Sequence, residues 1–335
     1  MFEPGQSFGD YEILDYVDRS KKGIVFRVRN RAEQRTEAMR LLPDSLAADA
    51  VELERFVREI KVHARLSHPN IVTFYQAAQL DGHPVMTTEL VEGVPLEQRL
   101  ELGPLPVEEA VSVTRQLLAA LGEAHRQGIV HREVTPAHIL LTPEGRVKLG
   151  GFGLAKAKTD ASLTQPGAVV GSVHYMSPEQ VKGAAVDART DLYAAGAVLY
   201  EMLAGRQPFA EASHFDVMLA QVQKQPPPIA EFRPGVPVWL TAAVERALAK
   251  EPAARFASAE EFAAALAPAP AAASAAPATP AAASGAPASL TPNPVFIPMQ
   301  VIAPAEPSSP RLLWVAVLLP LVGALLFLWM LMARR

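Results

Sequence analysis

The stretch His131–Leu140, HREVTPAHIL, sets a histidine, an arginine and a carboxylate ahead of Pro136 and closes on the apolar pair Ile139 and Leu140. What surrounds it decides the fold, and what stands at positions 133, 135 and 138 decides the chemistry. Upstream, VEEAVSVTRQLLAALGEAH carries Val107, Val111, Leu118 and Leu121 on one stripe behind Pro106, the pattern of an amphipathic helix with proline at its start. Further back the pattern is of strands. YEILDYV and GIVFRVRN alternate or run apolar with β-branched residues, and RTEAMRLLP resembles a third strand. AVELERFVREIKVHARL then places Leu53, Phe56 and Ile60 on one helical face, and IVTFYQAAQLDGHPVMTTELVEG reads as two strands around an Asp-Gly turn. A small β-rich lobe over 11–92 and a larger helical lobe over 93–266 are therefore expected.

The chain has 335 residues, half of them apolar, and a formal net charge of -4. That supports a sizeable core, and with no basic run inside the first 266 residues it argues against a nucleic-acid partner. Cysteine is absent, which excludes disulfides, thiolate metal sites and a cysteine nucleophile. The start, MFEPGQSFGDYEIL, has no basic segment followed by an apolar run, so no signal peptide is expected.

From Ala267 the composition changes to alanine, proline and serine with almost no charge, which reads as a disordered, partly polyproline-like linker over 267–311. Leu312–Met332 then runs without charge for about 20 residues, the length that spans a bilayer core. Trp314 and Trp329 sit near its ends, where indole rings favour the interface. A single-pass C-terminal transmembrane anchor is expected. Arg311 before it and Arg334 and Arg335 after it nearly balance, so charge gives little signal for orientation.

Residues 11–266 resemble the eukaryotic-like Ser/Thr protein kinases in their bacterial membrane-anchored form. The markers stand in order: FVREIKVHARLSHPNIV, HRE, GFG, GSVHYMSPEQ, DARTDLYAAGAVLYEMLAGRQPF and ALAKEPAARFASAEEFAAAL. One such match is weak; the whole series at these spacings is specific. The resemblance implies an α+β, bilobal fold with the kinase-like domain on the cytoplasmic side of the membrane. It pairs Glu179 with Arg255, makes Asp191 the carboxylate that caps the loop backbone, and puts His131 and Phe152 in an apolar spine between the lobes. Gly23, Val25, Ala38, Arg40, Thr88, Glu89 and Leu140 fall on the adenine and phosphate pocket, and Glu59 on the helix residue that pairs with the strand cation.

The reactive positions depart from the family. Kinase catalysis is positioning plus charge stabilisation, so each group matters. In DRSKKGIVF, Asp18 and Ser20 replace glycines of the phosphate-covering loop and only Gly23 remains. Arg40 replaces the strand lysine, which is not a conservative exchange; pairing with Glu59 is its expected role. Glu133 replaces the base aspartate with a carboxylate one methylene longer, and Thr135 replaces the loop lysine. His138 and Gly151 stand at the two metal-ligand positions, where an imidazole is a poor ligand for Mg2+ and a glycine is none. No metal is expected to be held there, and ATP is the one cofactor that the retained adenine-sandwiching residues leave open.

The reading that follows is a membrane-tethered pseudokinase, a scaffold or allosteric regulator whose protein partner is an active kinase or its substrate. An alternative is a divergent Ser/Thr kinase that uses Glu133 as base and Lys21 or Lys22 to hold phosphate. A third is a sensor that binds ATP without metal and shifts a conformational population. Thr159, Ser162, Thr164 and Ser172 lie in the segment that the family often phosphorylates, with Arg132 available to receive a phosphate; ordinary loop hydroxyls are the bland reading of the same residues.

Overall fold

Alternating strands build the first lobe. In a computed structural model, residues 3–20, 23–154, 156–157 and 173–267 are described. Strands β1 (Ser7–Phe8), β2 (Tyr11–Ser20), β3 (Gly23–Asn30), β4 (Arg35–Leu41), β5 (Phe74–Leu80) and β6 (His83–Glu89) form one sheet in the order β1-β2-β3-β4-β6-β5, every neighbour antiparallel. The pleat separates two faces. In β4, Glu37, Met39 and Leu41 are buried, while Ala38 and Arg40 are half-buried on the opposite face. Met39 and Leu41 join Phe8, Tyr11, Ile13, Phe26, Val28 and Val85 in one apolar cluster. The Asp-Gly turn expected between the last two strands is present: Asp81 (φ 47°) and Gly82 (φ 84°) both take positive φ, as a tight hairpin demands.

Two helices follow β4: α1 (Asp44–Ala47), which packs on β6 and α2, and α2 (Ala50–His63), which reaches the 152–154 turn of the second lobe. Asp49 caps α2 by accepting the N–H of Val51 at 2.8 Å. Phe56, Glu59, Val62 and His63 are its buried residues, and Leu53 and Ile60 pack half-buried beside Leu42, Phe56 and Met86. The face that the apolar pattern marks is packed, and Glu59 and His63, polar residues carried inward, widen it.

The second lobe is helical: α3 (Leu96–Glu101), α4 (Val107–Arg126), α5 (Pro178–Val181), α6 (Ala188–Ala204), α7 (His214–Gln223), α8 (Val238–Ala247) and α9 (Ala259–Ala265). Pro106 is the N-cap of α4, which packs on α6 and α9. Helix α6 is apolar nearly all round and accordingly lies at the centre, with Leu192–Tyr200, Met202 and Leu203 buried. Val62, Leu66 and Ile71 belong to the same apolar cluster as α4 and α6, so one core runs from the end of α2 into the second lobe.

Short strands frame the His131–Leu140 loop. β8 (Ile129–Val130) pairs with β11 (Lys156–Ala157) before it, and β9 (Ile139–Leu141) lies between β7 (Val94–Pro95) and β10 (Val147–Leu149) after it. The linker over 267–311, apart from its first residue, and the apolar run Leu312–Met332 lie outside the described residues.

Candidate active site in the cleft between the lobes

The strand cation and the helix carboxylate meet. Arg40 Nη1 lies 2.6 Å from Glu59 Oε2, and its guanidinium stands 5.5 Å over the Phe56 ring. On the same strand Ala38 is opposite Thr88 of β6, and Val25 of β3 is opposite Arg40. Val25, Ala38 and Leu140 are all half-buried. The Glu89 carboxylate is already engaged, by Lys148 Nζ at 2.6 Å and the N–H of Thr73 at 2.9 Å. Gly23 opens β3 opposite Ser20, and Asp18 is exposed opposite Val25. Lys21 and Lys22 lie outside the described residues.

A column of rings connects the lobes. His63 of α2 is 6.2 Å from Phe74 and 5.3 Å from Phe152, and Phe152 is 4.6 Å from His131. His131 and Phe152 were expected here; His63 was not. The signal was available, since His63 lies four residues after Glu59 and therefore on its face. Burial lowers the pKa of His63, against the nearby charges of Glu59 and Glu89 and a contact with the Val72 backbone. The wholly buried His131 is pushed down to about 4, chiefly by burial, with Asp191 pulling the other way. Its tautomer follows from its partners. The N–H of Glu133 donates to Nδ1 at 3.2 Å, so Nε2 carries the proton and donates to Gly150 O at 2.8 Å.

Asp191 organises the loop. Its carboxylate accepts the N–H groups of His131 (2.9 Å) and Arg132 (2.8 Å) and lies 2.7 Å from His125 Nε2. Burial alone would raise its pKa. The bond and charge of His125, the charge of His131 and the Arg132 N–H outweigh burial and hold the group below the usual carboxylate range. Arg132 takes φ 68°, a conformation few non-glycine residues adopt, and Gln180 Nε2 donates to its carbonyl at 2.8 Å. Neither His125 nor Gln180 was singled out from the sequence, because their roles depend on α4 and α5 meeting the loop.

Three of the departing residues come together. Glu133 is half-buried and Thr135 is buried. A carbonyl only accepts, so His138 Nδ1 carries its proton and donates to Glu133 O at 2.9 Å, with Thr135 Oγ1 at 3.3 Å from the same nitrogen. Gly151 has φ 78° and lies directly under the His138 ring.

Behind the loop, Arg255 makes two bonds to Glu179, of 2.7 and 2.8 Å, and Thr190 Oγ1 adds a third at 2.7 Å. Burial opposes the charge of Glu179, but Arg255 and Thr190 win and hold its pKa below the ordinary value. The order of the whole arrangement is matched by one family profile, the protein kinase domain, over residues 11–265.

The chain belongs to the protein kinase domain family.

Among bacterial relatives, this kinase domain is 35% identical over 255 residues to the serine/threonine-protein kinase PknE of Mycobacterium tuberculosis, covering 76% of this chain and 45% of that protein. It is 34% identical over 259 residues to a probable serine/threonine-protein kinase PknB of Lactococcus lactis, covering 76% and 41%. The chain thus spans less than half the length of these relatives. Among solved structures it is similar to the kinase domain of Mycobacterium tuberculosis PknI, with a TM-score of 0.63 and 31% identity over 79% of this chain and 98% of that one.

The family's usual metal, Mg2+, wants oxygen ligands in near-octahedral array. Position 151 offers no side chain, and His138, whose Nδ1–H donates to Glu133 O, has only the Nε2 of a neutral imidazole to offer, a nitrogen where Mg2+ takes oxygen. Among the described residues no group of three or more His, Asp or Glu side chains is arranged to hold a metal. The residues at the two ligand positions do not fit Mg2+. Thr159, Ser162, Thr164 and Ser172 lie outside the described residues.

Proposed function

We propose that this kinase domain serves as a protein-binding module in phosphorylation signalling, a scaffold or allosteric regulator that no longer transfers phosphate. Its partner is an active kinase or that kinase's substrate. Leu312–Met332 tethers it to a membrane with the domain on the cytoplasmic side, which raises its effective concentration toward partners on the same surface. The observation that carries this reading is the pair at the metal positions, a glycine beneath an imidazole, which together offer no side-chain oxygen. Without a cation bridging the phosphates, the charge that develops on transfer is left unneutralised. Thr135 adds to the deficit, since a buried hydroxyl stands where the family places a lysine.

The test is calorimetric titration of ATP into the full chain, first with magnesium and then with chelator. No binding, or binding indifferent to metal, supports the proposal, and the second outcome adds metal-free ATP sensing to it. Tight binding that requires magnesium overturns it.

A second reading, a divergent Ser/Thr protein kinase with Glu133 as base, is favoured by a different observation. The Arg40–Glu59 pair is closed where a working kinase pairs its strand lysine with the helix glutamate, and the ring column from Phe74 to His131 is continuous. Transfer of labelled γ-phosphate to a protein acceptor, abolished by Glu133→Gln, would establish it.

A further inference from the structure

The residues at 138 and 151 do not depart from the family pattern independently. A Cβ placed on Gly151 would meet His138 Cγ at 2.4 Å, Cδ2 at 2.5 Å and Nδ1 at 2.8 Å. Carbon atoms attract best at about 3.5–4 Å and repel steeply inside that range. Backbone strain is the smaller obstacle to a carboxylate here. At φ 78° most residues are penalised, but aspartate and asparagine are the ones that tolerate left-handed backbone. The obstacle is the imidazole.

That ring is held from several sides. Its Nδ1–H donates to Glu133 O, and Thr135 Oγ1 closes on the same nitrogen. The His131 ring stands 6.2 Å away and is itself bonded at both nitrogens, to the Glu133 N–H and to Gly150 O. The main chain adds a further tie, because Gly150 N donates to His138 O at 2.9 Å. The ring therefore cannot swing aside without breaking its bond to Glu133 O.

We propose that His138 and Gly151 form one interlocking unit, in which the imidazole takes the volume that a carboxylate at 151 needs. Divalent-cation binding at the nucleotide phosphates then returns only when both positions are exchanged together. The inference rests on the metal-free reading above and deepens it: the metal site is closed by a side chain as well as stripped of ligands, and a carboxylate does not return to 151 while His138 stays.

The experiment is a double-mutant cycle on the full chain with two readouts. The first is thermal unfolding of Gly151→Ala, His138→Ala and the pair. His138→Ala removes all three atoms that the new Cβ would meet, so the pair is expected to be more stable than additivity of the single changes predicts. Additive effects overturn the interlock. The second is calorimetric titration of ADP with and without Mn2+ into Gly151→Asp, His138→Asn and the pair. The double variant is expected to gain affinity with Mn2+ by about tenfold or more, since even a lost outer-shell partner costs a metal site about 10–100-fold, and each single variant to gain none. Equal gain by Gly151→Asp alone, or none in the double variant, overturns the proposal. Magnesium-dependent ATP binding by the unsubstituted chain would instead sink the metal-free reading, and the non-additivity in unfolding would still report on the interlock.

Discussion

Glu59 and His63 stand one turn apart on α2 and join it to different parts of the molecule: Glu59 holds Arg40 of the sheet at 2.6 Å, and the tilted His63 ring lies 5.3 Å from Phe152 of the second lobe. A helix anchored on one face by a charge pair and a ring couples the two lobes without any ligand. The first prediction concerns that coupling. Glu59 is buried and the Arg40 side chain is 24% exposed, so the pair falls between a surface bridge and a fully buried one. Glu59→Ala is expected to cost about 1–3 kcal/mol in urea unfolding and to speed hydrogen exchange along α2. Unchanged exchange in α2 would mean that the ring column alone holds the helix.

The second prediction concerns Glu179 and Arg255, whose charged ends are almost wholly out of water. Removing one partner leaves the other charge buried and uncompensated. Arg255→Met is expected to cost about 3–5 kcal/mol in chemical denaturation. A loss below about 1 kcal/mol, the scale of surface pairs, would show that water reaches Glu179.

Acid should unfold the protein partly through His131. Its pKa falls from 6.5 in the unfolded chain to about 4 in the folded one. The depressed folded value means that its contribution is fully present above pH 6.5. That contribution is lost as pH falls toward 4, because the unfolded chain takes up the proton first. The shift amounts to about 3 kcal/mol across that window. His63 is lowered in the same direction and adds to the slope. Stability of His131→Phe measured from pH 7 to 4 is expected to fall less steeply than that of the unsubstituted protein. Parallel curves would remove His131 as a source of acid sensitivity.

Gly196, in the interior of α6, sets two effects against each other. Alanine there would gain about 1 kcal/mol of helix propensity. Its Cβ, however, would come within 2.6 Å of the Ala247 Cβ on α8, and overpacking a close-packed core costs about 1–3 kcal/mol. Gly196→Ala is therefore expected to lower the melting temperature, and Ala247→Gly to recover part of the loss in the pair. A rise in melting temperature on the single change would mean that α6 and α8 move apart cheaply.

Much of this arrangement was legible along the chain. The Asp-Gly turn, the strands of the first lobe and the helix behind Pro106 follow from local pattern, since φ preference and apolar period are properties of a few neighbouring residues. The apolar face of α2 was legible by the same logic: Leu53, Phe56 and Ile60 pack in one cluster. Apolar spacing did not mark Glu59 and His63, which are drawn inside beside them, each by a partner far away in sequence. The engagement of Glu89 by Lys148 and the grip of Gln180 on Arg132 were hidden for the same reason.

By itself the sequence determined which chemical groups the cleft can contain. A glycine at 151, a histidine at 138, a threonine at 135 and an arginine at 40 are covalent facts, and no fold gives those four positions a carboxylate or an amine. Only the tertiary structure decided what became of the space. The ring of His138 lies over Gly151 because the loop, held on Asp191 by its main-chain N–H groups, brings together residues that the β9–β10 hairpin separates along the chain. Contacts of that kind depend on the path of the backbone, and local sequence pattern carries no information about that path.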